Sequence, residues 1–406
     1  MNSHQIVQML GVLAIVLAAA RLLGSAARWI GQPAVLGELL AGVLLGASVL
    51  GLIDPSNHDR PGTLVLGFLQ ELGVVILLFE IGLETDLVQL LRAGATSSAV
   101  AIVGVALPFV AGYFVCYFFG EPGPVCIVAG AALTATSVGI TARVLNDLGR
   151  LHEPESQIVL GAAVIDDILG LIILTIVSGM SAGKGPTVAH VAGITGLAFG
   201  FLVGAIVVGS LVVPPLVRWL DRLAIPGMLT TLALGLAFGL AWGAEMAGSA
   251  SIIGAFVAGL LLRRTPQAHE IEKAILPLGH FFVPLFFVVV GASVDVRTFV
   301  PHDAGGWKIL ALGVSLIVVA VLGKFAAGYA PFWFRGKKAV IGVGMVPRGE
   351  VGLIFAQTGL ASGVFKQDLF SAVTLMVMVT TFLAPPLLRV LFPPTGAKGG
   401  ELEAES

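Results

Sequence analysis

Apolar stretches of bilayer length follow one another along almost the whole chain, which leaves room for little except a membrane-spanning helical architecture. Hydropathy predicts thirteen spans, at 5–24, 33–53, 64–83, 98–119, 124–145, 158–180, 188–213, 227–244, 248–262, 277–294, 309–328, 339–361 and 369–392. A helix needs about 20 apolar residues to cross the hydrocarbon core, and a backbone in lipid must satisfy its hydrogen bonds internally. Charged residues make up 11% of the chain and hydrophobic ones 57%, whereas soluble domains carry about 25% charged residues. The expected class is therefore an all-α polytopic membrane protein, and a soluble enzyme is excluded. The N-terminal MNSHQIVQML lacks a basic segment and a small-residue cleavage site, so the first run reads as a retained span. Net charge is −2, which offers no case for nucleic acid as a partner. Two cysteines, Cys116 and Cys126, flank a short turn and by themselves say little about redox compartment.

Loop charge tests the span count. With the N-terminus outside, fifteen lysines and arginines fall in cytoplasmic segments and five outside, with Lys324 and Arg348 inside spans. That asymmetry follows the positive-inside rule and predicts a cytoplasmic C-terminus. The loops are short, and the tail PPTGAKGGELEAES is small and polar, so no soluble regulatory domain is expected.

Two spans carry residues that interrupt helices. The fifth contains Thr134-Ala135-Thr136-Ser137-Val138-Gly139, and the twelfth contains Gly342, Gly344, Pro347-Arg348-Gly349-Glu350 and Gly352. Unwound backbone at membrane depth is tolerated only where it is buried in protein or lines a cavity. Seven spans separate the two, so they cross in opposite directions. Broken helices at matching places in oppositely oriented halves predict inverted repeats, two crossing broken helices, and a transport site near the midplane.

Charges inside the spans point to the cargo. Asp166 and Asp167 stand side by side near the middle of Ile158–Met180, with no other charge in that stretch. One ionised side chain there costs about 2.5–3.5 kcal/mol on the lenient scale, and two in tandem also repel each other. Lys324 lies about as deep in span 11, and Asp166 or Asp167 is its natural partner. Successive helical residues point about 100° apart, so one aspartate can face Lys324 while the other faces a wet cavity. Sodium takes oxygen ligands; a carboxylate, the hydroxyls of Thr134, Thr136 or Ser137, freed carbonyls and water would supply them. Arg348 and Glu350 are expected to offset the partial charges of the half-helix ends rather than to ligate the cation. Glu38, Glu71, Glu80 and Glu84 read as structural or subunit-contact groups, and His280 as a lone histidine near the cytoplasmic surface.

The motifs QPAVLGELLAGVLLG, LFEIGLE, TATSVGITARVL, AAVIDDILGLIIL, PLFFVVVGASVD, ILGKFAAG and GVGMVPRGEVGLI occur in this order. Together they resemble the second branch of the monovalent cation–proton antiporters, above all the NapA-type bacterial sodium–proton antiporters. The resemblance implies a homodimer in the bacterial inner membrane and an NhaA/NapA-like fold in which a mobile core works against a dimerisation domain. It implies dimerisation helices 1–3 in 1–94, core helices 4–6 in 95–182 and a linker helix 7 in 183–222. Dimerisation helices 8–10 then fall in 223–303, core helices 11–13 in 304–393 and a tail in 394–406. It also implies that Asp166 and Asp167 bind the ion and proton, with Lys324 paired to Asp166. In potassium-efflux relatives the first aspartate is an amide and a nucleotide-binding domain follows; here Asp166 is retained and no such domain is seen.

The expected function is electrogenic exchange of cytoplasmic Na⁺ or Li⁺ for external protons by alternating access, with no cofactor. The alternative is a potassium–proton antiporter or a regulated K⁺ efflux pathway. An intramembrane aspartyl protease needs aspartates on two different helices, and a cation sensor needs an output domain; the chain shows neither pattern.

Overall fold

The computed structural model describes residues 3–55, 61–181, 188–222, 225, 227–294, 304–361 and 363–393. Among them, regular structure is helical apart from one isolated bridge between Gly46 and Ile53. The helices are α1 (Ser3–Trp29), α2 (Ala34–Leu45), α3 (Pro61–Glu84), α4 (Leu87–Arg92), α5 (Gly94–Phe118), α6 (Gly123–Ala132), α7 (Val138–Asp147) and α8 (Pro154–Ser181). They continue with α9 (Val188–Asp221), α10 (Met228–Met246), α11 (Ser251–Arg263), α12 (Ala268–Ala292), α13 (Ala304–Ala327), α14 (Lys338–Gly344), α15 (Gly349–Ala361) and α16 (Gln367–Leu391). Every predicted span is occupied by a helix or, for the fifth and twelfth, by a broken pair. Among the described residues, eight helices are long and apolar enough to cross a membrane on their own, and α2, α6 and α11 are shorter apolar ones.

Two departures from the sequence reading have local causes. The second span ends as a helix at Leu45. There the chain wraps back, and the amides of Leu52 and Ile53 both donate to the Leu45 carbonyl, at 3.1 and 2.9 Å. Gly51, at φ 67, takes the left-handed turn that this wrap needs. The short helix α4 was not predicted. Its start is fixed by Asp86, whose carboxylate accepts the Val88 amide at 2.8 Å, a capping bond.

The chain divides into two compact units. The first comprises 1–22, 38–88 and 167–295. In it α3 packs on α11 and α12, and α10 packs on α11. Glycines set the closest crossings: a Cβ on Gly82 of α3 would strike the Phe256 carbonyl of α11, and one on Gly42 of α2 would strike the Val288 carbonyl of α12. Small residues at such crossings let backbones touch, the main source of helix association where lipid is as apolar as the side chains.

The second unit comprises 23–37, 89–166 and 296–406, of which the described part ends at 393. Here α13 packs on α5 and α16, and α15 packs on α6 and α16. Val100, Ala101, Ile158, Val159, Ala162, Ala327, Ile341 and Met345 form a buried cluster that joins α5, α8, α13 and α14. This cluster fixes the helices that carry Asp166, Lys324 and the second break.

Candidate functional site

The two interrupted helices meet at their breaks. α6 stops at Ala132 and α7 starts at Val138; α14 stops at Gly344 and α15 starts at Gly349. A helix end leaves four carbonyls or four amides without intrahelical partners, and in lipid these must be satisfied elsewhere. Each break supplies groups to the other. The Ser137 amide donates to the Pro347 carbonyl at 2.8 Å, and the Thr136 hydroxyl donates to the Met345 carbonyl at 3.2 Å. Thr141 donates to the Gly344 carbonyl at 2.6 Å, and Arg348 Nη1 donates to the Ala135 carbonyl at 2.7 Å. Thr134 turns inward on its own half-helix, donating to the Ala131 carbonyl at 2.7 Å. The Gly349 amide, at the start of α15, donates to the Thr381 hydroxyl of α16 at 3.0 Å. Gly349 must be glycine on two counts: its φ is 48, and a Cβ would lie 2.6 Å from Ser137 Oγ.

Lys324 and Asp166 form a buried ion pair beside this crossing. Lys324 Nζ donates to the two Asp166 carboxylate oxygens at 3.2 and 3.3 Å. Asp166 is 1% exposed and Lys324 is wholly buried. Gly104 of α5 lies beside the lysine, where a Cβ would be in ordinary contact with Nζ at 3.5 Å. One residue earlier, Gly323 lies against the Pro108 ring of α5, which sets how closely the two helices approach. Arg348 is also wholly buried, and Asp166 is the charged group whose field acts on it. Among the described residues its Nε and Nη2 have no hydrogen-bond partner. Asp166 thus sits in the field of two cations, one of which it binds directly.

Asp167 is buried too, at 9% exposure. Being the next residue on α8, it leaves the helix about 100° around from Asp166. Thr136, Ser137 and Arg348 are brought together at the crossing, as are Asp166 and Lys324. The hydroxyl protons of Thr134 and Thr136 are held by carbonyls, which leaves their oxygen lone pairs as acceptors. Glu350 occupies the second position of α15, and its side chain lies outside the described residues. In the first unit, Glu38 is buried, Glu71 is exposed, Glu80 lies against Gly279, and Arg21 donates to the His280 carbonyl.

Sequence reading did not single out Thr141, Thr381 or Glu155. Thr141 and Thr381 satisfy half-helix ends, and the Glu155 carboxylate accepts the Lys337 amide at 2.7 Å, just ahead of α14. The available signal was a polar residue in an apolar setting; its partner, some 200 residues distant for Thr141, was not readable.

Comparison with known proteins agrees with this architecture. Residues 12–392 match the family model described as the transmembrane sodium/hydrogen exchanger. The chain is 40% identical to the high-affinity Na⁺/H⁺ antiporter NhaS3 of Synechocystis sp., over 96% of this chain and 90% of that one. It is 38% identical to the Na⁺/H⁺-K⁺ antiporter GerN of Bacillus cereus, over 97% of each. The solved structure of the sodium proton antiporter MjNhaP1 from Methanocaldococcus jannaschii at pH 8 shares the fold. Its TM-score is 0.67 at 15% identity, over 94% of this chain and 96% of that one. With the family match spanning nearly the whole chain, and with crossed helix breaks beside a buried carboxylate–lysine pair, this protein belongs to the sodium/hydrogen exchanger family.

Proposed function

We propose that the chain is a secondary active antiporter that exchanges cytoplasmic Na⁺ or Li⁺ for external protons by alternating access. The observation that carries this reading is the Asp166–Lys324 ion pair, buried beside crossed helix breaks and adjoining a second carboxylate. Asp167 is the cation and proton ligand, helped by oxygens of the first break at Thr134, Thr136 and Ser137. Asp166 and Lys324 form the coupled pair, and Arg348 with Glu350 balances the half-helix ends. The protein acts as a homodimer in the bacterial inner membrane, N-terminus outside, with helices of 1–94 and 223–303 at the dimer contact and those of 95–182 and 304–393 as the moving core. The activities in the names of NhaS3 and GerN support Na⁺ as the cargo; the K⁺ in GerN's name supports potassium as the runner-up.

Cation and proton then compete for one carboxylate. A protonated carboxyl offers Na⁺ no anionic oxygen, so apparent Na⁺ affinity weakens as pH falls and strengthens as it rises. Proteoliposomes carrying a pH dye, given Na⁺, Li⁺ or K⁺ in turn across a pH series, measure both competition and selectivity. An affinity that stays flat from acid to alkaline pH rules out shared-site exchange.

Transport is expected to be electrogenic. Na⁺ binding draws on the carboxylates and loosens Lys324 from Asp166. A buried ammonium without its anion is costly and gives up its proton. Lys324 and Asp167 then release one proton each per Na⁺ bound, and a net charge crosses in each cycle. Na⁺ flux in vesicles under imposed potassium-diffusion potentials reads this directly. A reversal point indifferent to voltage means one-for-one exchange with a permanently charged Lys324.

A further inference from the structure

Helices α5 and α6 run antiparallel, joined by only four residues, 119–122. They touch backbone to backbone. A Cβ on Gly112 would meet the Gly130 Cα at 3.2 Å, and a Cβ on Gly130 would meet the Phe109 carbonyl at 2.6 Å. Gly112 therefore stands opposite Gly130. One helical turn toward the connection is four residues forward in α5 and four back in α6, and those positions are Cys116 and Cys126. The short connection keeps the helices from splaying, so the register sets the two cysteines face to face.

Three further observations agree. Both cysteines are free and wholly buried, and Cys126 is an electrostatic neighbour of Cys116. Glu121, in the turn, is tied to both: its amide donates to the Cys116 carbonyl at 3.1 Å, and its carbonyl accepts the Cys126 thiol at 3.3 Å. A disulfide needs Cα atoms about 4.4–6.8 Å apart, a spacing that glycine-mediated contact one turn away allows.

We propose that Cys116 and Cys126 form a redox-closable pair, a modification site at which a low-molecular-weight disulfide oxidises the two thiols to one intramolecular disulfide across the α5–α6 turn. One cysteine, as thiolate, attacks the external disulfide, forming a mixed disulfide and releasing a first small thiolate, which takes up the proton that the cysteine lost. The second cysteine, on losing its proton, attacks its neighbour's sulfur and expels the second small thiol. Two protein thiols are oxidised and one external disulfide is reduced to two thiols, so atoms and electrons balance. Burial makes the first attack wait on local opening of the turn, so closure is slow and the closed bond is shielded. With the N-terminus outside, the turn faces the compartment where disulfides persist. The bond would bind the helix that shelters Lys324 to the half-helix that runs into the first break.

The test uses the full chain, purified in detergent, incubated with oxidised glutathione, quenched in acid, unfolded, and counted with polyethylene-glycol maleimide. The expected result is no maleimide added and an intact mass short of two hydrogens, both reversed by dithiothreitol. Cys116→Ser under the same treatment keeps one sulfur, which carries one maleimide or one glutathione. Two maleimides or two glutathiones on the parent chain, or chains crosslinked to one another in place of an internal bond, would overturn the proposal. This outcome is independent of transport activity.

Discussion

An Asp167→Asn variant should fold and assemble as the parent does yet show no Na⁺-driven proton flux. The substitution keeps the size and shape of the side chain, and the oxygens that Lys324 Nζ meets at 3.2 and 3.3 Å belong to Asp166. The amide fills the same space, so the fold is expected to survive. Function loses both things the site needs at once. An amide has no proton to exchange near neutral pH, and it presents Na⁺ with a neutral oxygen in place of an anionic one. On the proposed reading one carboxylate serves both ions, so no rise in Na⁺ or pH is expected to rescue the rate. Dye-reported flux in proteoliposomes, alongside a thermal melt and a sizing run of the same preparation, separates lost chemistry from lost fold. Near-parental flux would remove Asp167 from the site.

Asp166→Asn is expected to fail differently, with transport and stability falling together. Both carboxylate oxygens of Asp166 face Lys324 Nζ, and the ammonium is wholly buried. Breaking a buried pair by removing one partner costs about 3–5 kcal/mol, because the remaining charge is left without compensation. Arg348, also buried, loses the anion whose field it feels. The melting temperature should therefore drop clearly below that of Asp167→Asn. Adding Lys324→Gln should restore part of the stability without restoring exchange, since it removes the stranded charge but not the defect in coupling. Equal melting curves for parent and Asp166→Asn would mean that the pair contributes nothing to the fold.

Much of this was legible in the sequence because lipid makes the code strict. Thr134-Ala135-Thr136-Ser137 and Pro347-Arg348-Gly349 cannot be mistaken for lipid-facing helix, and both mark breaks. Lys324 and an aspartate in otherwise apolar spans had to find each other, and Lys324 meets Asp166. What stayed hidden depended on chain geometry rather than composition. The wrap of 46–53 follows from two carbonyl-sharing amides and a left-handed glycine, and hydropathy averages over such detail. α4 exists because Asp86 caps it, and the signal is one residue long. Thr141 looks like an ordinary helical threonine until the Gly344 carbonyl arrives from far along the chain.

The mutual bonding of the two breaks also bears on how the chain is made. The Thr136 hydroxyl and its Met345 partner are 209 residues apart in sequence, and Ser137, Ala135 and Thr141 wait for partners equally distant. At about 5–20 residues per second, the first break spends roughly 10–40 s in existence before the second emerges from the ribosome. During that interval its exposed amides and carbonyls cannot be settled in hydrocarbon. The nascent first half must keep them in water, at the lateral gate of the insertion machinery, or in provisional contacts that are later exchanged. The hydroxyls of Thr136 and Thr141, which end on carbonyls of the second break, can each hold a stray backbone group until that half of the protein arrives.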